Sequence, residues 1–198
     1  MKSLGQRDCW IFDMDGTLTV SMHDFEDIRR QLGLAPGEPI LELLAAMPAA
    51  ESAPLHQRLD DIEFEVAARA KAGAGVETLL RTLLDRGVQI GIVTRNGQQI
   101  AYETLRACGL LHYFDADCVI GREQALPKPE PDGILQLLDK WQLPPERAVM
   151  VGDYYFDLAA GRAAGTATVY LDVTGRYEWA DYADVSVERL DELVEFLD

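Results

Sequence analysis

Short apolar runs that stop abruptly at polar or glycine-bearing positions recur along the chain. Cys9-Trp10-Ile11-Phe12 ends at Asp13, the run Val88 to Val93 ends at Thr94, and Ala148 to Val151 ends at Gly152-Asp153. Runs this short, bounded in this way, predict buried strands. Weaker strand candidates are Cys118-Val119-Ile120, Ala167 to Leu171 and Val185 to Val187. Between the runs, apolar positions repeat at helical spacing over Val76 to Arg86, Gln98 to Cys108, Asp132 to Trp141, Phe156 to Ala164 and Glu188 to Leu197. Gly109, Pro144 and Gly165 supply stops. Strand followed by helix, repeated, predicts a parallel sheet, and such sheets bind ligands beyond the carboxyl ends of their strands. Asp13, Thr94 and Asp153 all fall at such ends.

The stretch from Val20 to Ala74 breaks the alternation. His23 to Leu32, Ile40 to Met47 and Leu55 to Ala72 read as amphipathic helices with no strand between them, punctuated by Pro36, Pro39, Pro48 and Pro54. Gly73-Ala74-Gly75 offers a flexible return. The expectation is a helical insertion over 20–74, placed after the first strand of a core made of 1–19 and 75–198.

Composition changes this picture little and charge narrows it. The chain has 198 residues, 48% hydrophobic and 26% charged, enough for one domain with a modest insertion. Eighteen basic against thirty-four acidic side chains give a net charge of −16, which repels nucleic-acid phosphates and anionic lipid. Neither nucleic acid nor membrane is expected as a partner. A small phosphorylated molecule remains open, because a bound cation or a local lysine and amide cluster reverses the field inside one pocket. The three cysteines lie far apart with no zinc spacing or disulfide framework, and the opening Met1 to Asp8 is polar. A cytoplasmic location is the expectation. No feature fixes the oligomeric state, and a monomer suffices.

The candidate chemistry begins at Asp13-Met14-Asp15-Gly16-Thr17-Leu18, two carboxylates two residues apart beside a glycine that lets the chain turn. A calcium loop is the weaker reading, because the later glutamate is missing and the flank is a strand rather than a helix. The segment resembles the first motif of the haloacid dehalogenase-like hydrolase superfamily, most of whose members are phosphatases. Thr94 with Arg95-Asn96, Lys128 in Lys128-Pro129-Glu130-Pro131, and Gly152-Asp153-Tyr154-Tyr155-Phe156-Asp157 follow in the order of its remaining motifs.

The resemblance implies a Rossmann-like α/β core with an inserted α-helical cap, similar to the phosphoglycolate phosphatase-like branch. It implies a Mg2+ ion held by the Asp13 side chain, the Asp15 main-chain carbonyl and Asp153, with Asp157 supporting the site from behind. Asp13 is then the nucleophile that forms an aspartyl-phosphate, and Asp15 the acid that protonates the leaving oxygen and later the base that activates water. Thr94 and neighbouring amides hold the phosphoryl oxygens, Lys128 adds positive charge, and Arg95 and Asn96 are further contributors to substrate binding. The physical demand agrees: a carboxylate attacks phosphorus only when its own charge and that of the phosphate are neutralised. The implied reaction is hydrolysis of a small phosphorylated metabolite such as a phosphoglycolate-like acid, a polyol phosphate or a sugar phosphate. A phosphosugar mutase shares the paired aspartates and is the alternative. A phosphoryl-ligand sensor without turnover is a further one.

Taken singly, each of these residues has a bland reading as a helix cap, strand residue or surface charge; four ordered motifs at strand ends outweigh it. His23, His56 and His112 are isolated and read as structural, with His23, Arg29 and Arg30 the cap residues best placed to follow the catalytic loop. Arg58, Arg69 and Lys71 read as surface pairs, Cys108 as a core residue, and the acidic group Glu51, Asp60, Asp61, Glu63 and Glu65 as a solvated helix face.

Overall fold

The computed structural model describes residues 4–22 and 24–197. Six parallel strands form one sheet: β1 (Cys9–Phe12), β2 (Gln89–Val93), β3 (Val119–Ile120), β4 (Ala148–Gly152), β5 (Ala167–Leu171) and β6 (Val185–Val187). Their order is β3-β2-β1-β4-β5-β6, so the chain winds outward from β1 in one direction and then returns to build the other half. The switch lies between β1 and β4, paired with Cys9 opposite Ala148 and Phe12 opposite Val151. A crevice opens at such a point because the connections leave to opposite sides.

Alternation along the strands divides the core into two layers. Trp10 and Phe12 join Ile90, Ile92, Val149 and Val151 on one face, while Cys9, Ile11, Val93 and Met150 point to the other. Helices α4 (Val76–Asp85) and α5 (Gln98–Ala107) cover the first face, and α6 (Asp132–Trp141) and α7 (Tyr155–Ala164) the second. Cys108 packs half-buried against the first layer.

The cap consists of α1 (Phe25–Leu32), α2 (Ile40–Ala45) and α3 (Ala49–Ala67). Asp24 starts α1 by accepting from the Asp27 amide at 2.9 Å, and Gly33, at φ 69°, ends it in the left-handed conformation. The cap has its own core of Ile28, Leu32, Ile40, Leu44, Leu59 and Ile62. At roughly 1.5–3 kcal/mol for each large aliphatic side chain buried, this core holds the three helices together. The two connections to the sheet run side by side: Val20 N donates to Lys71 O and Gly73 N to Leu18 O, both at 2.9 Å, around an antiparallel bridge between Thr19 and Ala72.

Three sequence expectations need correction. The helix expected over Leu55 to Ala72 runs from Ala49 to Ala67, with Pro54 inside it. Pro54 and Ala50, whose carbonyl the missing N–H would have met, are both exposed, so the gap in the helix bonding lies on its solvent side. Residues expected at the end of that helix instead pair with the outgoing connection. The segment expected as a helix over Glu188 to Leu197 is a 3-10 helix over Leu190–Phe196, in which Leu190 and Leu193, three apart, are fully buried. The acidic group on α3 is not uniformly solvated, since Glu63 is buried. His23 lies outside the described residues. No described helix is long and apolar enough to cross a membrane.

Candidate active site

The loop after β1 turns so tightly that it brings two strand ends together. Asp13 N donates to Val151 O at 2.9 Å, and Gly16 adopts φ +83°. A Cβ at Gly16 would sit 2.2 Å from Asp153 Oδ2, so only glycine lets this loop lie against the end of β4. Met14 O accepts from both Thr19 N, at 3.0 Å, and Thr19 Oγ1, at 3.2 Å, closing the turn.

All eight residues singled out by sequence line one cavity of about 320 Å³ between the sheet and the cap. Its floor is a buried charge cluster. Lys128, 1% exposed, places Nζ 2.5 Å from Asp13 Oδ1 and 2.7 Å from Asp157 Oδ1. Oxygen atoms of Asp13, Asp153 and Asp157 all lie within 4.8 Å of one another. Asp157 is held by the Tyr154 amide, which donates to Oδ2 at 3.0 Å, and Thr17 Oγ1 donates to Asp153 at 3.4 Å.

The Asp15 carboxylate lies apart from this cluster and accepts from Asn96 Nδ2 at 2.6 Å. Thr94 Oγ1 accepts from the Asn96 amide at 3.1 Å, so the turn after β2 is fixed by its own first residue. Arg95 reaches across to the cap. Its Nη2 donates to both oxygens of Glu42, at 2.9 and 2.8 Å, its Nη1 donates to Lys128 O, and its guanidinium stacks 4.6 Å over Phe156. Arg29 lines the cavity, but Arg30 is largely exposed and pairs with Asp27.

The electrostatics ask for a cation. Burial pushes Asp13 up to about 7, with Lys128 opposing and Asp157 and Asp15 adding to the rise. Asp153 is pushed up to about 8 by burial, then by Asp13 and Asp157. Lys128 is raised despite its burial, because Asp13 and Asp157 favour its charged form. A cluster of hard carboxylate oxygens with one ammonium carries surplus negative charge, the donor chemistry that divalent oxygen-binding cations satisfy. Replacing Lys128 with methionine removes the one buried positive charge among them. The expected result is a loss of about 3–5 kcal/mol in unfolding free energy, read by urea denaturation at pH 8.

Sequence reasoning did not anticipate how the cap is fastened. Arg122, in the turn after β3, donates through Nη1 to both oxygens of Glu63, at 3.2 and 2.9 Å, and through Nη2 to Asp60. Glu63 is pushed up to about 7 by burial, against the pull of Arg122. The strand-end rule that selected Asp13, Thr94 and Asp153 also points to Arg122, but β3 is so short that it reads weakly in the sequence.

A buried lysine shared between carboxylates at a topological switch point, roofed by helices, suits a phosphoryl group. Fold and site together define a phosphoric monoester hydrolase. Residues 8–165 match the haloacid dehalogenase-like hydrolase family, and the chain belongs to it, in the phosphoglycolate phosphatase-like branch with a helical cap. An uncharacterized hydrolase of Saccharomyces cerevisiae is 30% identical over 194 residues, covering 94% of this chain and 89% of that protein. A phosphoglycolate phosphatase of Nitrosococcus oceani is 27% identical, covering 98% and 95%. The solved structure of CbbY from Rhodobacter sphaeroides in complex with phosphate is similar in fold, with a TM-score of 0.74 at 24% identity over 97% of this chain and 99% of that one.

Proposed function

We propose that the protein hydrolyses a small phosphate monoester in two steps through a phosphorylated Asp13. The observation that carries this reading is the placement of Asp13 against Lys128, with a separate carboxylate, Asp15, held off the cluster by Asn96. The residues fit Mg2+: Asp13 and Asp153 would hold it with the Asp15 carbonyl, Asp157 lying beside them. When bound, the ion offsets the charge of the phosphate and of the carboxylates around it.

In the first step an Asp13 carboxylate oxygen attacks phosphorus, the bond from phosphorus to the leaving oxygen breaks, and Asp15 gives that oxygen a proton. In the second, Asp15 takes a proton from water, the water oxygen attacks phosphorus, and the bond to Asp13 breaks to release inorganic phosphate. Asn96 donates to Asp15 and orients it for both transfers. Thr94 and the amides of its turn would hold the phosphoryl oxygens, and Lys128 favours the ionised form of Asp13 against the effect of burial. The cap, taken as 20–74, closes over the reacting atoms and excludes bulk water. Charge and enclosure both favour small substrates over nucleic acid.

Asp15→Asn keeps the loop shape and the carbonyl but loses proton transfer. The expected result is a fall of roughly 10²–10⁴ in kcat/KM for alkyl phosphates, which reports formation of the phosphorylated Asp13 and not its hydrolysis. The loss should be smaller with 4-nitrophenyl phosphate, whose leaving group needs no proton. Equal losses on both classes of ester would remove Asp15 from the acid role.

A further inference from the structure

The part of the cavity that would receive the leaving group is apolar, and its charges are already matched. Phe25, Ile28, Pro39, Ile40, Leu41 and Leu59 of the cap line it. Among the described residues, three basic side chains reach the cavity, and each is engaged by a carboxylate. Lys128 meets Asp13 and Asp157, and Arg95 meets Glu42. Arg29 donates to Glu26 at 2.8 Å and to the Glu38 carbonyl at 2.7 Å. Above about pH 7 the remaining charge that the cap presents is negative, Glu63, whose two carboxylate oxygens both accept from Arg122. At the rim, Tyr154 is 49% exposed and meets Phe156 edge-on at 5.2 Å and Trp179 at 5.7 Å, extending the apolar wall with aromatic rings.

A second anionic group brought into this space would lose its water and find no spare cation. It would also face Glu63 across a poorly screened gap. A hydrophobic body would lose nothing of this kind and would gain burial against the cap. We propose that the substrate is the phosphate monoester of an uncharged, predominantly apolar alcohol, aryl or alkyl, and that Glu63 discriminates against leaving groups bearing a carboxylate or a second phosphate. This rests on the monoester hydrolysis proposed above and narrows its leaving group.

The test compares matched esters with the full chain and Mg2+: phenyl phosphate against 4-carboxyphenyl phosphate, and ethyl phosphate against phosphoglycolate, with 4-nitrophenyl phosphate as an activated reference. The neutral member of each pair should show a kcat/KM at least about tenfold higher, because a desolvated, unpaired charge is rejected more strongly than a missing contact. Equal or higher values for the anionic members overturn the inference while leaving the hydrolase reading intact. Release of phosphate from none of the esters, the activated one included, overturns both. Glu63→Gln, which keeps the shape, should narrow each ratio by about 3–10-fold, chiefly through a lower KM for the anionic member. Unchanged ratios in that variant overturn the role given to Glu63.

Discussion

Asp13→Asn is expected to abolish turnover, with kcat reduced by about 10⁴-fold or more, because an amide oxygen does not displace an alcohol from phosphorus. The variant should nevertheless fold. Asparagine matches the shape of aspartate and its oxygen still accepts from Lys128, while the charge that burial disfavours at this position is gone. Without added metal, its melting temperature should therefore be no lower than that of the wild type. Rapid acid quenching of wild-type protein with substrate should add the mass of one phosphoryl group to the peptide containing Asp13, and the variant should add none. Near-wild-type turnover by Asp13→Asn, with deamidation to aspartate excluded by mass, would rule out the covalent route.

Removal of divalent metal should be as severe. With chelator, phosphate release is expected to vanish for every ester, and Mg2+ should restore it. Ca2+ should restore it poorly, because it prefers a larger and less regular shell. The same ion should stabilise the fold, by about 2.7 kcal/mol at a hundredfold excess over its dissociation constant. The sign of the pH dependence follows from the raised carboxyls. Native Asp13 and Asp153 keep protons that the unfolded chain releases above about pH 4, so metal-free stability falls as pH rises toward 8. Bound metal displaces those protons, and its stabilising effect should grow from pH 6 to pH 8. Full activity in metal-free buffer would defeat this account.

The strand-end positions of the site were legible because a parallel sheet collects the ends of its strands. Asp13, Thr94 and Asp153 follow apolar runs of the right length, and topology does the rest. Lys128 was legible only through the family resemblance, since no local pattern distinguishes a fully buried lysine from a surface one. The seat of the cap was not legible at all. Glu63 and Arg122 are 59 residues apart and Glu42 and Arg95 are 53 apart, and nothing near either pair marks it as half of a contact. The same holds for α3: the proline that reads as a boundary is tolerated because its face happens to be outward, a fact decided by tertiary packing.

The paired connections at Thr19 and Ala72 have a consequence for how this chain can change over time. Because departure and return lie side by side, the sheet experiences everything between them as a loop of almost no span. The entropy of closing such a loop rises only slowly with its length, by about 0.6 kcal/mol per doubling. Helices can therefore be lengthened, lost or exchanged in that stretch at little cost to the register of β1 and β4. Under the proposed function the reacting groups are anchored on one side of the two-stranded neck, and most of the wall that would meet the leaving group lies on the other. Selection can revise the second without reopening the first.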